Sequence, residues 1–145
     1  MSDTKKKIEE LLAKDSYDFD DLCDVVRVLR SDIGCPWDRE QDHKSIRNDF
    51  IEETYEVIEA IDNDDKVLLR EELGDVMLQV VFHACIEEEQ GEFDIHGVSN
   101  DICKKLIHRH PHVFGDVSVK DSEEVLDNWE KIKKSQRGQK TACEA

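Results

Sequence analysis

Apolar residues recur at helical spacing along most of this chain, and no segment shows convincing strand alternation. Gly34 and Pro36 break the pattern and predict a loop over residues 34–38. The spacing predicts helices over residues 5–14, 18–31, 42–62, 66–89 and 98–109, and a last helix that opens near Ser122. The predicted fold is therefore all-α, a helical bundle with a four-helix core and an extra N-terminal helix. We expect an N-terminal helical extension (1–17), a main domain (18–136) and a disordered tail (137–145).

Three polar residues, Asn63, Asp64 and Asp65, separate two of the longest predicted helices. A connection this short forces the helices at 42–62 and 66–89 into an antiparallel hairpin. In such a hairpin, two residues at equal height have position numbers with a constant sum. The residue that faces any given position can therefore be read from the sequence.

Four carboxylates occupy mirror positions about that turn: Glu53 and Glu56 precede it, and Glu72 and Asp75 follow it. Each pair is spaced i, i+3, so its two side chains project from one helical face about a turn apart. The position numbers of Glu53 and Asp75, and those of Glu56 and Glu72, both add up to 128. All four side chains are expected in one layer, where they repel strongly unless cations or protons intervene.

This layer predicts a divalent metal site between the antiparallel helices. Hard cations such as Mg²⁺ take oxygen ligands in an octahedral array and retain waters that substrate phosphates can replace. We expect Glu53, Glu56, Glu72 and Asp75 to bind Mg²⁺, with Mn²⁺ able to substitute. Glutamates at i, i+3 are common on solvated helix faces, so the matched heights are what favour the metal. Glu52 lies close enough to support a metal ligand by hydrogen bonding.

The composition narrows the possible partners. The chain has 36 acidic and 20 basic residues and a formal net charge of −16, which argues against nucleic acid because phosphate binding needs clusters of Lys and Arg. No apolar run is long enough to span a membrane, and nothing resembles a signal peptide. Five cysteines without a Cys-x-x-Cys motif indicate the reducing cytoplasm.

Lys105 and Arg109 are spaced i, i+4 along the helical stripe that begins with Val98 and Ile102. Basic side chains on an inward stripe favour an anion, since Arg offers a phosphate two parallel donors and Lys offers a point charge. Favourable charge at a helix C terminus is an equally good explanation. Trp129 could stack on a nucleobase, or it could pack in the core with its helical neighbours.

Glu40 and His43 form a single Glu-x-x-His motif beside the predicted loop. Di-iron helical bundles use two such motifs on inward helix faces. A di-metal carboxylate redox bundle is therefore a weaker alternative. Another alternative is an acidic all-α interaction module without catalysis, whose carboxylates would meet a basic partner.

Several sequence blocks between Gly34 and about Gln136 share one resemblance. They are Gly34-Cys-Pro-Trp-Asp38, Glu52-Glu53-x-x-Glu56, Glu72-x-x-Asp75, Lys105-Leu106, Arg109-His-Pro-His-Val-Phe-Gly-Asp116 and Asn128-Trp129-Glu130. Together they resemble the MazG family of nucleoside triphosphate pyrophosphohydrolases, an all-α group. One departure is His108, where many relatives carry Arg.

The resemblance implies Mg²⁺-dependent hydrolysis of a nucleoside triphosphate to the monophosphate and pyrophosphate. It implies that the four mirror carboxylates bind the metal, that Lys105 and Arg109 bind the phosphates, and that Trp129 binds the nucleoside region. A metal-held water, deprotonated with help from Glu52 or Glu53, would attack the α-phosphorus. The resemblance also suggests a homodimer or homotetramer. Base and sugar preference do not follow from the sequence.

Overall fold

The structure is a computed structural model that describes residues 2–144, with side chains described through residue 137. Within that range the chain forms eight helices and no strand, which confirms the prediction of an all-α fold. The chain divides into two compact units, residues 1–95 and residues 96–145. The helices are α1 (Asp3–Leu12), α2 (Phe19–Leu29), α3 (Pro36–Glu40), α4 (His43–Asp62), α5 (Lys66–Glu89), α6 (Ile95–Arg109), α7 (Pro111–Phe114) and α8 (Ser122–Glu144). The division falls inside the range 18–136, and the predicted domain limits stay a prediction.

The segment predicted as a loop after α2 contains the short helix α3. Pro36 occupies the first turn of this helix, where its missing N–H leaves no hydrogen bond unmade. Gly34 lies so close to the end of α2 that an added Cβ would be 2.2 Å from the carbonyl oxygen of Val28. Glycine at this position therefore lets the chain turn back against α2.

Helices α4 and α5 pack against each other as the predicted antiparallel hairpin. A capping box formed by Asp42 and Ser45 opens α4, and the Asp65 carboxylate accepts a hydrogen bond from the Leu68 backbone N–H to open α5. Between the helices, Asp64 has a φ of 50°, a left-handed conformation that Asp tolerates better than most residues. Side-chain caps at Asp42 and Asp65 thus fix where each of the two helices begins.

The core of the first unit is formed mainly by α2 and α5, with one residue from the start of α4. Val26 and Ile46 are almost fully buried, with exposed fractions of 0% and 2%. They belong to a cluster of buried side chains that also contains Cys23, Val81, Phe82, Ala84, Cys85, Ile86 and Ile95. This apolar packing holds one end of α5, while its other half carries Glu72 and Asp75.

Helix α6 begins at Ile95, three residues before the predicted start, and ends at Arg109 before Pro111, as predicted. Pro111 then opens the short helix α7. At the start of α8, Asp121 accepts a hydrogen bond from the backbone N–H of Glu124, while the Glu124 side chain accepts one from the backbone N–H of Lys120. The α8 backbone runs into the segment predicted as a disordered tail (137–145). The side chains from residue 138 onward lie outside the described residues, so that prediction is not tested.

Candidate functional site

The hairpin brings the four mirror carboxylates together. Glu53 and Glu56 on α4 and Glu72 and Asp75 on α5 each offer one oxygen atom, and these atoms all lie within 4.8 Å of one another. The i, i+3 spacing and the short turn account for this arrangement, because they place both pairs at one height on facing helices. Glu72 is buried, Glu53 and Asp75 are half-buried, and Glu56 is exposed. The cluster is therefore open to solvent on the side of Glu56.

Mutual repulsion among these carboxylates changes their protonation. A hydrogen bond with Glu56, burial and the negative charges of Glu56, Asp75 and Glu53 together raise the pKa of Glu72 to about 7. Burial, followed by the charges of Glu56 and Asp75, also raises the pKa of Glu53. Without a cation, the cluster thus relieves its repulsion by holding a proton near neutral pH.

The chemistry of the cluster fits a divalent cation. Oε2 of Glu53 and Oε2 of Glu72 are buried without a hydrogen-bond partner, so two oxygen lone-pair sites are unsatisfied inside the hairpin. Oxygen ligands at this separation suit Mg²⁺ or Mn²⁺. Glu52, the other predicted catalytic carboxylate, is exposed and is not a member of the cluster.

The predicted phosphate ligands lie in the second unit. Lys105 and Arg109 line a groove of about 760 Å³ between α6 and α8. The Arg109 guanidinium lies 5.4 Å from the centre of the Trp129 ring, and its Nε donates to Oε1 of Gln136 at 3.0 Å. The His110 ring meets the Trp129 ring edge-on at 4.9 Å. Trp129 is thus half-buried beneath Arg109 and His110.

The stripe that begins with Val98 and Ile102 is not buried as expected. These two side chains are 37% and 44% exposed, and Lys105 is exposed as well. The expectation of an inward stripe was wrong because hydrophobic spacing shows which residues share a face and does not show what covers that face. The groove is also lined by Lys104, His108, Lys133 and Arg137, together with one acidic residue, Asp101, so its lining is mainly basic.

Sequence reasoning missed this concentration of basic side chains. Residues 1–95 carry 28 acidic and 11 basic residues, whereas residues 96–145 carry 8 acidic and 9 basic residues. Lys133 and Arg137 are spaced i, i+4 on α8, and that spacing was the available signal. At His108, the position where the sequence departs from the resemblance described above, the groove keeps several other cationic side chains.

A second cluster, also missed, lies at the other end of the hairpin. Nδ1 of His43 is 2.7 Å from Nδ1 of His83, and the two rings stack with centres 5.0 Å apart. Nε2 of His43 is 2.6 Å from a carboxylate oxygen of Glu87. The histidine of the Glu-x-x-His motif thus contacts α5, while Glu40 is exposed.

Four carboxylates converging between antiparallel helices place this chain among all-α proteins with an acidic cluster that could bind a metal. The family model described as the MazG nucleotide pyrophosphohydrolase domain matches residues 41–114, which include the entire cluster. The chain belongs to this family.

Comparisons with individual proteins agree. The chain is 48% identical over 122 residues to the nucleoside triphosphate pyrophosphohydrolase/pyrophosphatase MazG of Thermotoga maritima, and the match covers 84% of this chain and 46% of that protein. It is 48% identical over 122 residues to the nucleoside triphosphate pyrophosphohydrolase of Escherichia coli K12, with 83% and 46% covered. An uncharacterized Bacillus subtilis protein, YabN, is 49% identical over 121 residues, with 83% and 25% covered. The chain thus spans half or less of the length of these relatives.

A solved structure shares the fold. The crystal structure of a mazG-related protein from Thermotoga maritima superposes with a TM-score of 0.66 at 27% identity, over 79% of this chain and 98% of that chain. Among the described residues, no helix is both long and apolar enough to cross a membrane.

Proposed function

We propose that this protein hydrolyses nucleoside triphosphates to the monophosphate and pyrophosphate in a Mg²⁺-dependent reaction. The convergence of Glu53, Glu56, Glu72 and Asp75 carries the proposal, because their oxygens form a ligand set for a divalent cation. Membership of the MazG family supports the substrate class. The proposed substrate carries several negative charges, and a chain with a formal net charge of −16 could bind it only with help from cations.

Each predicted residue has a proposed role. The four carboxylates hold Mg²⁺, which neutralises phosphate charge and lowers the pKa of a bound water when present. Lys105 and Arg109 bind the phosphates as a point charge and a two-donor fork. Trp129 borders the nucleoside, and the Arg109 guanidinium lies over the Trp129 ring.

Glu52 and Glu53 are the proposed catalytic carboxylates. A general base must lie within hydrogen-bond reach of the proton that it accepts. Glu53 is half-buried within the carboxylate cluster, next to any water that the cluster would hold, which supports a role in accepting the water proton. Glu52 is the adjacent exposed carboxylate, and we propose that it assists from the solvent side.

A product analysis tests the reaction. Each nucleoside triphosphate is incubated with the protein and Mg²⁺, and the products are separated by ion-exchange chromatography. We expect the monophosphate and pyrophosphate, and a loss of turnover by more than about a hundredfold in Glu53→Gln and Asp75→Asn. The matched control is Glu59→Gln, an exposed glutamate on the same helix outside the cluster, which should change turnover by less than about twofold.

Two outcomes would contradict the proposal. Formation of the diphosphate and orthophosphate would mean cleavage at the γ-phosphorus. An absence of turnover, together with an absence of thermal stabilisation by Mg²⁺ or Mn²⁺, would instead favour the acidic interaction module, since a ligand of the native state must raise its stability.

We also propose that the protein forms a homodimer or homotetramer in the cytoplasm. One face of α4 exposes large apolar side chains: Ile51, Tyr55, Ile58 and Ile61 are 46–67% exposed. A continuous apolar face of this kind commonly marks a protein interface. Light scattering after size exclusion should give a multiple of the 16.8 kDa chain mass, and Ile58→Glu should lower that mass. A monomeric wild-type protein would refute this part.

A further inference from the structure

The register of the α4–α5 hairpin is the same at the carboxylate cluster and at the far end. In this register, the position opposite His43 is residue 85. His43 contacts His83 and Glu87, which lie on either side of that position and one helical turn apart. The layer between the two clusters can therefore be assigned by the same rule.

Asp49 on α4 faces Gln79 on α5 in this intermediate layer, and both residues are half-buried. Gln79 follows Asp75 by four residues, and Asp49 precedes Glu53 by four. At a rise of 1.5 Å per residue, the layer lies roughly 6 Å along the helix axes from the carboxylates. Residues four apart share a helical face, so both side chains belong to the face that carries the cluster.

The two side chains differ in the direction in which they lean. Side chains on an α-helix tilt toward its N terminus. On α5 this direction carries Gln79 toward Asp75 and Glu72, whereas on the antiparallel α4 it carries Asp49 away from Glu53. From this tilt we expect Gln79, rather than Asp49, to reach toward the cluster.

The side-chain oxygen of Gln79 has no partner of its own. Its Oε1 atom is buried and accepts no hydrogen bond, as is true of Oε2 of Glu53 and Oε2 of Glu72. A buried carbonyl oxygen is unfavourable unless a donor satisfies it. The neighbouring carboxylates are acceptors when ionised, and a bound cation would keep them ionised, so in the metal-bound cluster the donor would come from a molecule that enters it.

We propose that Gln79 is a positioning residue for the proposed hydrolysis, and that its amide oxygen accepts a hydrogen bond from a water held at the carboxylate cluster. An amide cannot take the proton of that water, so it can fix the direction of the O–H bond while Glu52 or Glu53 removes the other proton. The inference rests on the proposed function for its reaction, and on the buried, unpartnered oxygen for its geometry.

The test uses Mn²⁺ binding without nucleotide, followed by electron paramagnetic resonance, together with steady-state kinetics. Gln79→Met keeps the side-chain volume and removes the acceptor, and Gln79→Glu keeps an acceptor oxygen in the same place. Losing a group that supports a metal site through hydrogen bonds commonly weakens metal affinity or activity by about 10–100-fold. We expect Gln79→Met to lower Mn²⁺ affinity or kcat by that factor, and to change KM for the nucleotide by less than about threefold. In Gln79→Glu we expect a Mn²⁺ affinity at least equal to that of wild type.

Asp49→Asn is the matched control, because Asp49 occupies the same layer and leans the other way. It should change Mn²⁺ affinity and kcat by less than about fivefold. The inference is overturned if Gln79→Met stays within about fivefold of wild type in both quantities, or if Asp49→Asn loses as much as Gln79→Met. If Gln79→Met does not fold, as judged by circular dichroism, Gln79→Ser replaces it in the same comparison.

These outcomes are separable from failure of the proposed function. A wild-type protein that binds Mn²⁺ but hydrolyses no nucleotide refutes the proposed reaction, and the Mn²⁺ data still decide the role of Gln79. A wild-type protein that binds no Mn²⁺ refutes both.

Discussion

Binding of a divalent cation should displace a proton from the carboxylate cluster, because Glu72 carries one near neutral pH. A pKa of about 7 means that this carboxyl is about half protonated at pH 7, about nine-tenths protonated at pH 6 and about one-tenth at pH 8. Metal ligands must be deprotonated to bind, so the ion expels what each carboxyl holds. The cluster should therefore release close to one proton per ion at pH 6, about half a proton at pH 7 and little at pH 8.

Isothermal titration calorimetry measures this release directly. Mg²⁺ or Mn²⁺ is titrated into the metal-free protein in two buffers of equal pH and different ionisation enthalpy, and the difference in heat gives the number of protons released. The pKa of Glu53 is also raised, so its carboxyl adds to the release toward the acid end. Metal affinity should accordingly fall as the pH is lowered.

The Glu72→Gln variant separates this carboxyl from the rest of the cluster. It should release far fewer protons at pH 7, whereas Glu59→Gln should behave like wild type. Because the pKa of Glu72 is higher in the fold than its usual 4.5, its contribution to metal-free stability is fully present below pH 4.5 and is lost as the pH rises through 7. Release below about 0.1 proton per ion at both pH 6 and pH 7 would refute the reasoning.

Three further predictions concern other parts of the molecule. Gly34→Ala should lower the free energy of unfolding by more than about 2 kcal/mol, since its Cβ would lie 2.2 Å from the Val28 carbonyl oxygen. Gly74→Ala should instead raise the free energy of unfolding by about 0.5–1 kcal/mol, because open space surrounds this position in α5. Urea unfolding measures both changes. Burial and the charge of His43 lower the pKa of His83 below 6.5, so near that pH the unfolded state binds more protons than the folded state. Wild type should therefore lose stability relative to His83→Gln as the pH falls through 6.5. A gain in stability relative to His83→Gln would contradict this. Arg109→Gln should raise KM for the nucleotide about tenfold or more while leaving Mn²⁺ affinity unchanged, and an equal loss in both would exclude a phosphate role.

The carboxylate cluster was predictable from the sequence because its geometry is local. Two pairs at i, i+3 and a three-residue turn fix height and facing direction without reference to the rest of the fold. Two helix starts were less accurate: α1 begins at Asp3 and α6 at Ile95, two and three residues before the predicted starts. The first residue of α1 is set by its cap, Ser2, whose side chain accepts a hydrogen bond from the backbone N–H of Lys5, and hydrophobic spacing does not show such a bond.

Features that depend on longer connections were not predictable in the same way. The groove lies between α6 and α8, which are separated by twelve residues that include the short helix α7, so no symmetry of spacing relates Arg109 to Lys133. The contact of His43 with His83 follows the hairpin register. The Glu-x-x-His motif pairs His43 with Glu40 in the sequence, and so it did not indicate a contact with α5. Exposure of Val98 and Ile102 depends on what packs over α6, which periodicity does not contain.

All four cluster carboxylates lie within the 23 residues from Glu53 to Asp75, on either side of one tight turn. Contacts between residues close in sequence form early, because little loop-closure entropy opposes them. Closing the hairpin and assembling the cluster are then a single kinetic event, and the repulsion among the carboxylates opposes that event from its start. The rate at which this hairpin folds should therefore increase with added divalent cation and with acidity, so that the chemistry of the site also sets the speed of its own assembly.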